Sequence, residues 1–137
     1  MTGSADRTSC VLELKKNTVV NRMQIGSGIT CLQLSSNSEM AVYGCINGEL
    51  QNWFLKTFQR IYKIAAHSRE IDHMVIHQEE VVTAGADRKV NVFHLSDGKL
   101  LFTLQPNHSL SITTLLLNER HIVSGSRYFS VEKKKKN

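Results

Sequence analysis

Proline occurs once in 137 residues, aromatic side chains make up only 7%, and glycine totals eight. Each scarcity excludes something. Eight glycines without a cluster leave no phosphate-cradling loop: Gly26-Ser27-Gly28 is too short for a P-loop or a dinucleotide fingerprint and reads as a turn leading into Ile29. The three cysteines, Cys10, Cys31 and Cys45, cannot all pair, and their spacings of 21 and 14 residues lack the close doublets of zinc sites. They are expected to be small apolar strand residues in a reducing compartment. Long apolar runs are also missing: Leu115 to Leu117 and Ile64 to Ala66 fall far short of the roughly 20 residues that cross a bilayer. No transmembrane segment is therefore expected. Residues Met1 to Asp6 contain no basic region followed by an apolar stretch, so a secretory signal is not expected either. These absences point to an intracellular protein, cytoplasmic in the first instance, with the nucleus as the alternative.

A surplus of one charge sign is absent too, once its source is located. The net charge is +5, but Lys133, Lys134, Lys135 and Lys136 supply four of the 17 basic side chains, and the remaining 13 face 12 acidic ones. The folded part is not a basic protein, which argues against nucleic acid as its main partner. With 41% apolar and 21% charged residues the composition is that of a globular protein.

What the chain does have is a period. Four tight-turn positions align, Ala5-Asp6, Ile46-Asn47, Ala86-Asp87 and Ser126-Arg127, their second members separated by 41, 40 and 40 residues. A period of this size decides architecture before anything else. Just upstream of each turn is a glycine: Gly3, Gly44, Gly85 and Gly125. Six residues after each of the turn residues Asp6, Asn47 and Asp87 comes a bulky apolar side chain: Leu12, Trp53 and Phe93. Between these anchors lie short segments rich in β-branched and aromatic residues, bounded by turn formers. One unit is expected to have strands at 29–34, 40–45, 49–55 and 60–64, and the next at 71–77, 80–85, 89–95 and 100–104. A third has strands at 112–117, 121–126 and 129–132. Asn47-Gly48 and Asp97-Gly98 are dipeptides that supply positive φ in tight turns between antiparallel strands. The fold class is thus all-β, with four short antiparallel strands per unit.

These residues resemble the WD-repeat family. Gly3-Ser4-Ala5-Asp6-Arg7-Thr8, followed by alternating residues and Leu12-Glu13-Leu14, is similar to the family pattern Gly-Ser-x-Asp-x-Thr leading to Trp-Asp-Leu. Ala84 to Leu95 and Asn47 to Leu55 follow the same template, although the Trp-Asp dipeptide stands as Leu12-Glu13, Trp53-Phe54 and Phe93-His94. The resemblance covers residues 2 to 132 and implies four-stranded blades of a WD-type β-propeller in an incomplete ring. Its parts would be a half-blade at 2–25, blades at 29–64 and 71–104, and an incomplete blade at 112–132, followed by a disordered lysine tail at 133–137. The resemblance also implies a buried structural tetrad, best preserved as His67, Thr83, Asp87 and Phe93, the last departing from the family because Phe lacks the indole donor. In the next repeat His108 and Ser124 are accompanied by Arg127 where Asp is expected, and in the first Ile25 stands where His is expected.

By the same resemblance, loops before the innermost strands and turns after the second strands form a protein-docking face containing Ser68, Arg69, Glu70, Arg88, Arg127 and Tyr128. Arg and Tyr are the residue types that anchor interfaces. A catalytic reading of His67, Asp87 and Thr83 as base, orienter and nucleophile gives way to the structural one, because the repeat itself explains those residue types. His73 and His77 lie on an expected strand, where four residues span about 13 Å and a single metal cannot bridge them. No cofactor, metal site or catalytic activity is expected. Asn107-His108-Ser109 is formally a glycosylation acceptor, which without a secretory signal stays out of reach of that machinery. The expected role is a non-catalytic scaffold or adaptor that binds other proteins or a multiprotein complex. Two alternatives accompany it. Three and a half repeats fall short of the roughly four to eight blades of a closed ring, so the chain is either part of a longer propeller or associates through its open edges with itself or another partial propeller. The lysine run would offer attachment to nucleic acid or an anionic membrane.

Overall fold

Middle segments such as Ala41 to Cys45 and Val81 to Gly85 are apolar or small at consecutive positions, a pattern that suits a strand covered on both faces rather than an amphipathic one. A computed structural model describes residues 2–3, 6–13, 18–104, 112–117, 121–126 and 131–135, with no helix among them. Four antiparallel sheets follow one another along the chain. The first contains β1 (Thr2–Gly3), β2 (Thr8–Glu13) and β3 (Thr18–Gln24), in that order. The second has the order β4 (Ile29–Leu34), β5 (Met40–Cys45), β6 (Glu49–Phe54) and β7 (Gln59–Ala65). The third repeats it with β8 (Ile71–His77), β9 (Glu80–Gly85), β10 (Val90–His94) and β11 (Leu100–Leu104). In the fourth, β12 (Ile112–Leu117), β13 (His121–Ser126) and β14 (Val131–Lys135) pair in sequence.

Neighbouring sheets stack. The first strands lie side by side, β4 beside β8 and β8 beside β12. Side chains of β5 divide between two cores. Ala41, Tyr43 and Cys45 face the first sheet with Met23 and Ile25, whereas Val42 joins Leu50, Ile71, Met74 and Val81 in the core shared with the third sheet. In β9 the same alternation sends Val81 backward and Val82 and Ala84 forward, where they meet Val90, Val92 and Leu115. Period two thus operates inside continuous apolar runs, because both faces of the strand have a partner. Polar atoms also tie the second sheet to the third: the Asn52 side-chain amide donates to Leu95 O at 3.0 Å, and the Thr30 hydroxyl donates to Ile71 O.

The units repeat in detail. The first strands of the last three sheets, β4, β8 and β12, each carry an irregularity near the start, at Ile29/Cys31, Ile71/His73 and Ile112/Thr114. β2, β6 and β10 each have another, at Val11/Leu12, Asn52/Trp53 and Val92/Phe93. Such bulges bend a strand and increase its twist, so their recurrence gives successive sheets a common shape.

One expectation is corrected. Lys133, Lys134 and Lys135, assigned from sequence to a disordered tail at 133–137, belong to β14, in register with Val123, Ile122 and His121. A run of lysines opposes burial of side chains, but it leaves every backbone N–H and C=O able to pair with the open edge of β13. The fourth sheet therefore continues past residue 132.

Because Val82 is fully buried between two sheets while Ile61 on β7 is 43% exposed, truncating them should have very different costs. Val82→Ala should lower unfolding free energy by about 2 kcal/mol from lost burial and the cavity left behind. Ile61→Ala should change it by less than about 0.5 kcal/mol. Urea titrations of the two variants would check this; equal effects would contradict burial on both faces of β9.

Candidate functional site

The repeated turns are built on one device. Asp6 Oδ1 accepts from Thr8 N at 3.0 Å, Asn47 Oδ1 from Glu49 N at 3.1 Å, and Asp87 Oδ1 from Lys89 N at 3.1 Å. Asx side chains favour this bond to the backbone two residues on. The residue between has positive φ in all three, Arg7 at 75°, Gly48 at 86° and Arg88 at 67°. The period conserves the left-handed turn even where glycine is replaced by arginine.

Asp87 does more than close its turn. Its carboxylate also takes the Ser68 N–H at 3.2 Å and faces His67 Nδ1 at 2.9 Å, and His67 Nε2 meets the Thr83 hydroxyl at 2.8 Å. With the Nδ1 proton directed at the carboxylate, Nε2 is the acceptor for the Thr83 O–H. The structure thus brings His67, Thr83 and Asp87 together, joining the loop between β7 and β8 to the turn between β9 and β10. The side chain of His67 is fully buried, as is Thr83, and that of Asp87 is nearly so. A hydroxyl sealed in this way cannot meet a substrate, so the arrangement serves to fix two loops. Burial alone would raise the Asp87 pKa, but the His67 hydrogen bond and the two backbone N–H groups outweigh it and hold the carboxyl below its ordinary value.

Phe93 does not join them. It packs in the core with Val42, Ile71 and Val81. Its counterpart one period earlier, Trp53, donates its indole N–H to Gln51 Oε1 at 3.0 Å, and Gln51 Nε2 donates to Ile25 O at 2.8 Å. Asn91, the counterpart of Gln51, donates to Ala66 O at 2.6 Å. These matched bonds make Ile25 equivalent to Ala66, so Gly26 rather than Ile25 occupies the place of His67. The glycine alignment also needs correction. Cys45, not Gly44, closes its turn as Gly85 does, with Gly48 N to Cys45 O and Arg88 N to Gly85 O both at 3.1 Å. A Cβ on Gly85 would lie 2.6 Å from His67 Nδ1 and 2.8 Å from Asp87 Oδ1, whereas one on Gly44 would lie 2.9 Å from Ile71 Cγ2. The two glycines clear space on opposite faces.

Several contributors escaped the sequence reading. Tyr43 stands at the position of Thr83 and meets Ser9 of the first sheet through its hydroxyl at 2.8 Å. Its alignment 40 residues before Thr83 was the available signal. Burial pushes the Tyr43 hydroxyl up to about 12 and the Cys31 and Cys45 thiols to about 11 and 12, so neither of these thiols offers a thiolate at neutral pH. Of the docking-face residues, Ser68, Arg69 and Arg88 are exposed and Glu70 is half-buried. Ala86 N donates to Glu70 O at 2.9 Å, bringing that loop and turn to one rim. Ile46, 58% exposed at the corresponding turn of the second sheet, is an apolar addition to it. Arg127, Tyr128 and His108 lie outside the described residues, and of Ser124 only its place on β13 is described.

His67→Ala, which removes two buried hydrogen bonds and leaves a hole, should cost about 2–4 kcal/mol in a urea titration. Because the folded pKa of Asp87 is depressed, the stability it contributes is complete above its unfolded pKa of about 3.9 and is lost as pH falls through the lower folded value. Asp87→Asn should therefore flatten the acid limb of the stability profile below about pH 4. An unchanged limb would show that the carboxylate is not held by these donors.

No family model matches the chain. Over 103 residues, 72% of its length, it is 27% identical to cilia- and flagella-associated protein 52 of Mus musculus, and it spans only 16% of that protein. Its fold is similar to two computationally designed proteins of known crystal structure, Ika8 and Ika4. The TM-scores are 0.88 and 0.87 at 24% identity, covering 97% of this chain and 41% and 82% of the designs. At that identity the likeness concerns the fold alone.

Proposed function

We propose that the four sheets are blades of a WD-type β-propeller and that the chain is a non-catalytic, intracellular docking scaffold for other proteins. The observation that carries this reading is the rim at one end of the sheets. There the loops before β4 and β8 are bonded to the turns after β5 and β9, Ile46 N to Gly28 O at 2.8 Å and Ala86 N to Glu70 O at 2.9 Å. His67, Thr83 and Asp87 hold this rim from below, and above them it exposes Ile46, Arg69 and Arg88. A rigid platform topped by arginine and an isolated apolar side chain is the arrangement from which interface anchors are drawn. The match to a cilia- and flagella-associated protein is compatible with membership of a larger assembly, and the 16% of that protein spanned leaves most of such a polypeptide unrepresented. A second reading, edge-to-edge association with another partial propeller or a second copy, draws on the first and fourth sheets, each three-stranded among the described residues.

The rim reading expects the combined substitution of Arg69, Glu70 and Arg88 by alanine to reduce capture of bound proteins, quantified against wild type, by at least about tenfold. Thermal unfolding should stay within about 0.5 kcal/mol of wild type, since Ala and Arg share the same backbone cost at the positive φ of residue 88. Retained capture in a folded variant would overturn it. Sedimentation separates the second reading: a concentration-dependent mass for the chain favours association of copies.

A further inference from the structure

The last strands of the first three sheets, β3, β7 and β11, lie at the edges away from the stacked first strands, and charge is distributed unevenly over them. None of the chain's 12 acidic residues lies on these three strands, whereas β3 holds Arg22 and β7 holds Arg60 and Lys63. On β7 the placement of the cations is specific. The irregularity at Asn52/Trp53 sets Arg60 opposite Trp53 and Lys63 opposite Gln51, leaving Ile61 unmatched between them. Residues three apart in a regular strand point to opposite faces. Here the Trp53 indole reaches Gln51 Oε1 on a single face, so Arg60 and Lys63 share that face, the one turned toward the first sheet. On the other face, Tyr62 and Ile64 pack against the core shared with the third sheet. The strand is cationic on one side and apolar on the other.

Among the described residues no strand continues the second sheet beyond β7, so its outward backbone N–H and C=O groups offer a place for one more. An added strand would extend both faces. Beside Arg60 and Lys63 it must bring carboxylates, because the adjoining strand β6 supplies one acidic residue for two cations, Glu49, which stands 3.8 Å from Lys63. Beside Tyr62 and Ile64 it must bring apolar side chains. With a side-chain period of two, both demands are met by a segment in which acidic and apolar residues alternate. A second copy does not supply it. Pairing β7 with β7 would oppose cation to cation, and the one acid-apolar-acid run in the chain, Glu70-Ile71-Asp72, enters β8 with Ile71 fully buried.

We propose that the outer edge of β7 takes up an extended segment of another protein, one in which acidic and apolar residues alternate, as an added strand. This edge is separate from the rim, and either surface can bind without the other. The test titrates the full chain with N-acetylated, C-amidated Thr-Glu-Val-Glu-Val-Thr and follows backbone amides by NMR. Signals of residues 59–65 should shift saturably, with a Kd of about millimolar order for so short a peptide. Replacing both glutamates by glutamine should weaken binding at least about threefold, and replacing them by lysine at least about tenfold. Replacing both valines by proline keeps the charge but removes the pairing backbone, and should abolish the response. In the chain, Arg60→Glu with Lys63→Glu should reverse the order of the glutamate and lysine peptides. If that variant fails to fold, the ranking of the four peptides on the wild-type chain still decides. No shift at residues 59–65, equal binding by any of the three analogues, or an unreversed order in the folded variant would overturn the proposal.

Discussion

Burial of the second strand on both faces, in the second and third sheets, is the constraint on which the structure depends. Ala41 to Cys45 and Val81 to Gly85 have no solvent-facing side, so neither sheet can satisfy its apolar residues alone. Each needs a neighbour before it and another after it, as in stacked repeat architectures generally. Isolated four-stranded sheets of this length would leave Val42 or Val82 in water, and it is the stack that makes their burial favourable.

Stacking in turn dictates where polar groups go. Third strands lie between neighbours too, so their amides must find partners across the gap, as Gln51, Asn52 and Asn91 do with backbone carbonyls of adjoining segments. The His67–Asp87–Thr83 group does the same for a loop and a turn. Such bonds add directional constraint to a non-directional core and hold the rim in a fixed shape. A surface that is rigid before a partner arrives loses less freedom on binding, which links the buried network to the docking role proposed for the residues above it.

Much of this was legible in the sequence because the signals were local and repeated. Turn residues at a 40-residue period, and dipeptides such as Asn47-Gly48 and Asp97-Gly98, locate the strands of the second and third sheets to within a residue or two. The association of His67, Thr83 and Asp87 was readable only through resemblance to a family, since nothing local indicates that residues 16 and 20 positions apart will meet. What could not be read depends on registers between sheets. Matching glycine to glycine paired Gly44 with Gly85 although Cys45 stands 40 residues before Gly85, and only the matched hydrogen bonds of Gln51 and Asn91 show that Gly26 takes the place of His67. The strand at Lys133 to Lys135 was obscured by a composition suited to solvent, because backbone pairing leaves no mark in side-chain type. The contact between Tyr43 and Ser9 spans 34 residues and two sheets, and only the Thr83 alignment hinted that a polar group belonged there.

The face-to-face stacking of consecutive sheets is the claim from which the cores and the rim derive. It is tested most directly by methyl NOEs in the intact chain. Val42 and Leu50 on the second sheet should show contacts to Ile71, Met74 and Val81 on the third, because these side chains share one core. NOEs confined to strands within each sheet, with none between these two groups, would contradict it.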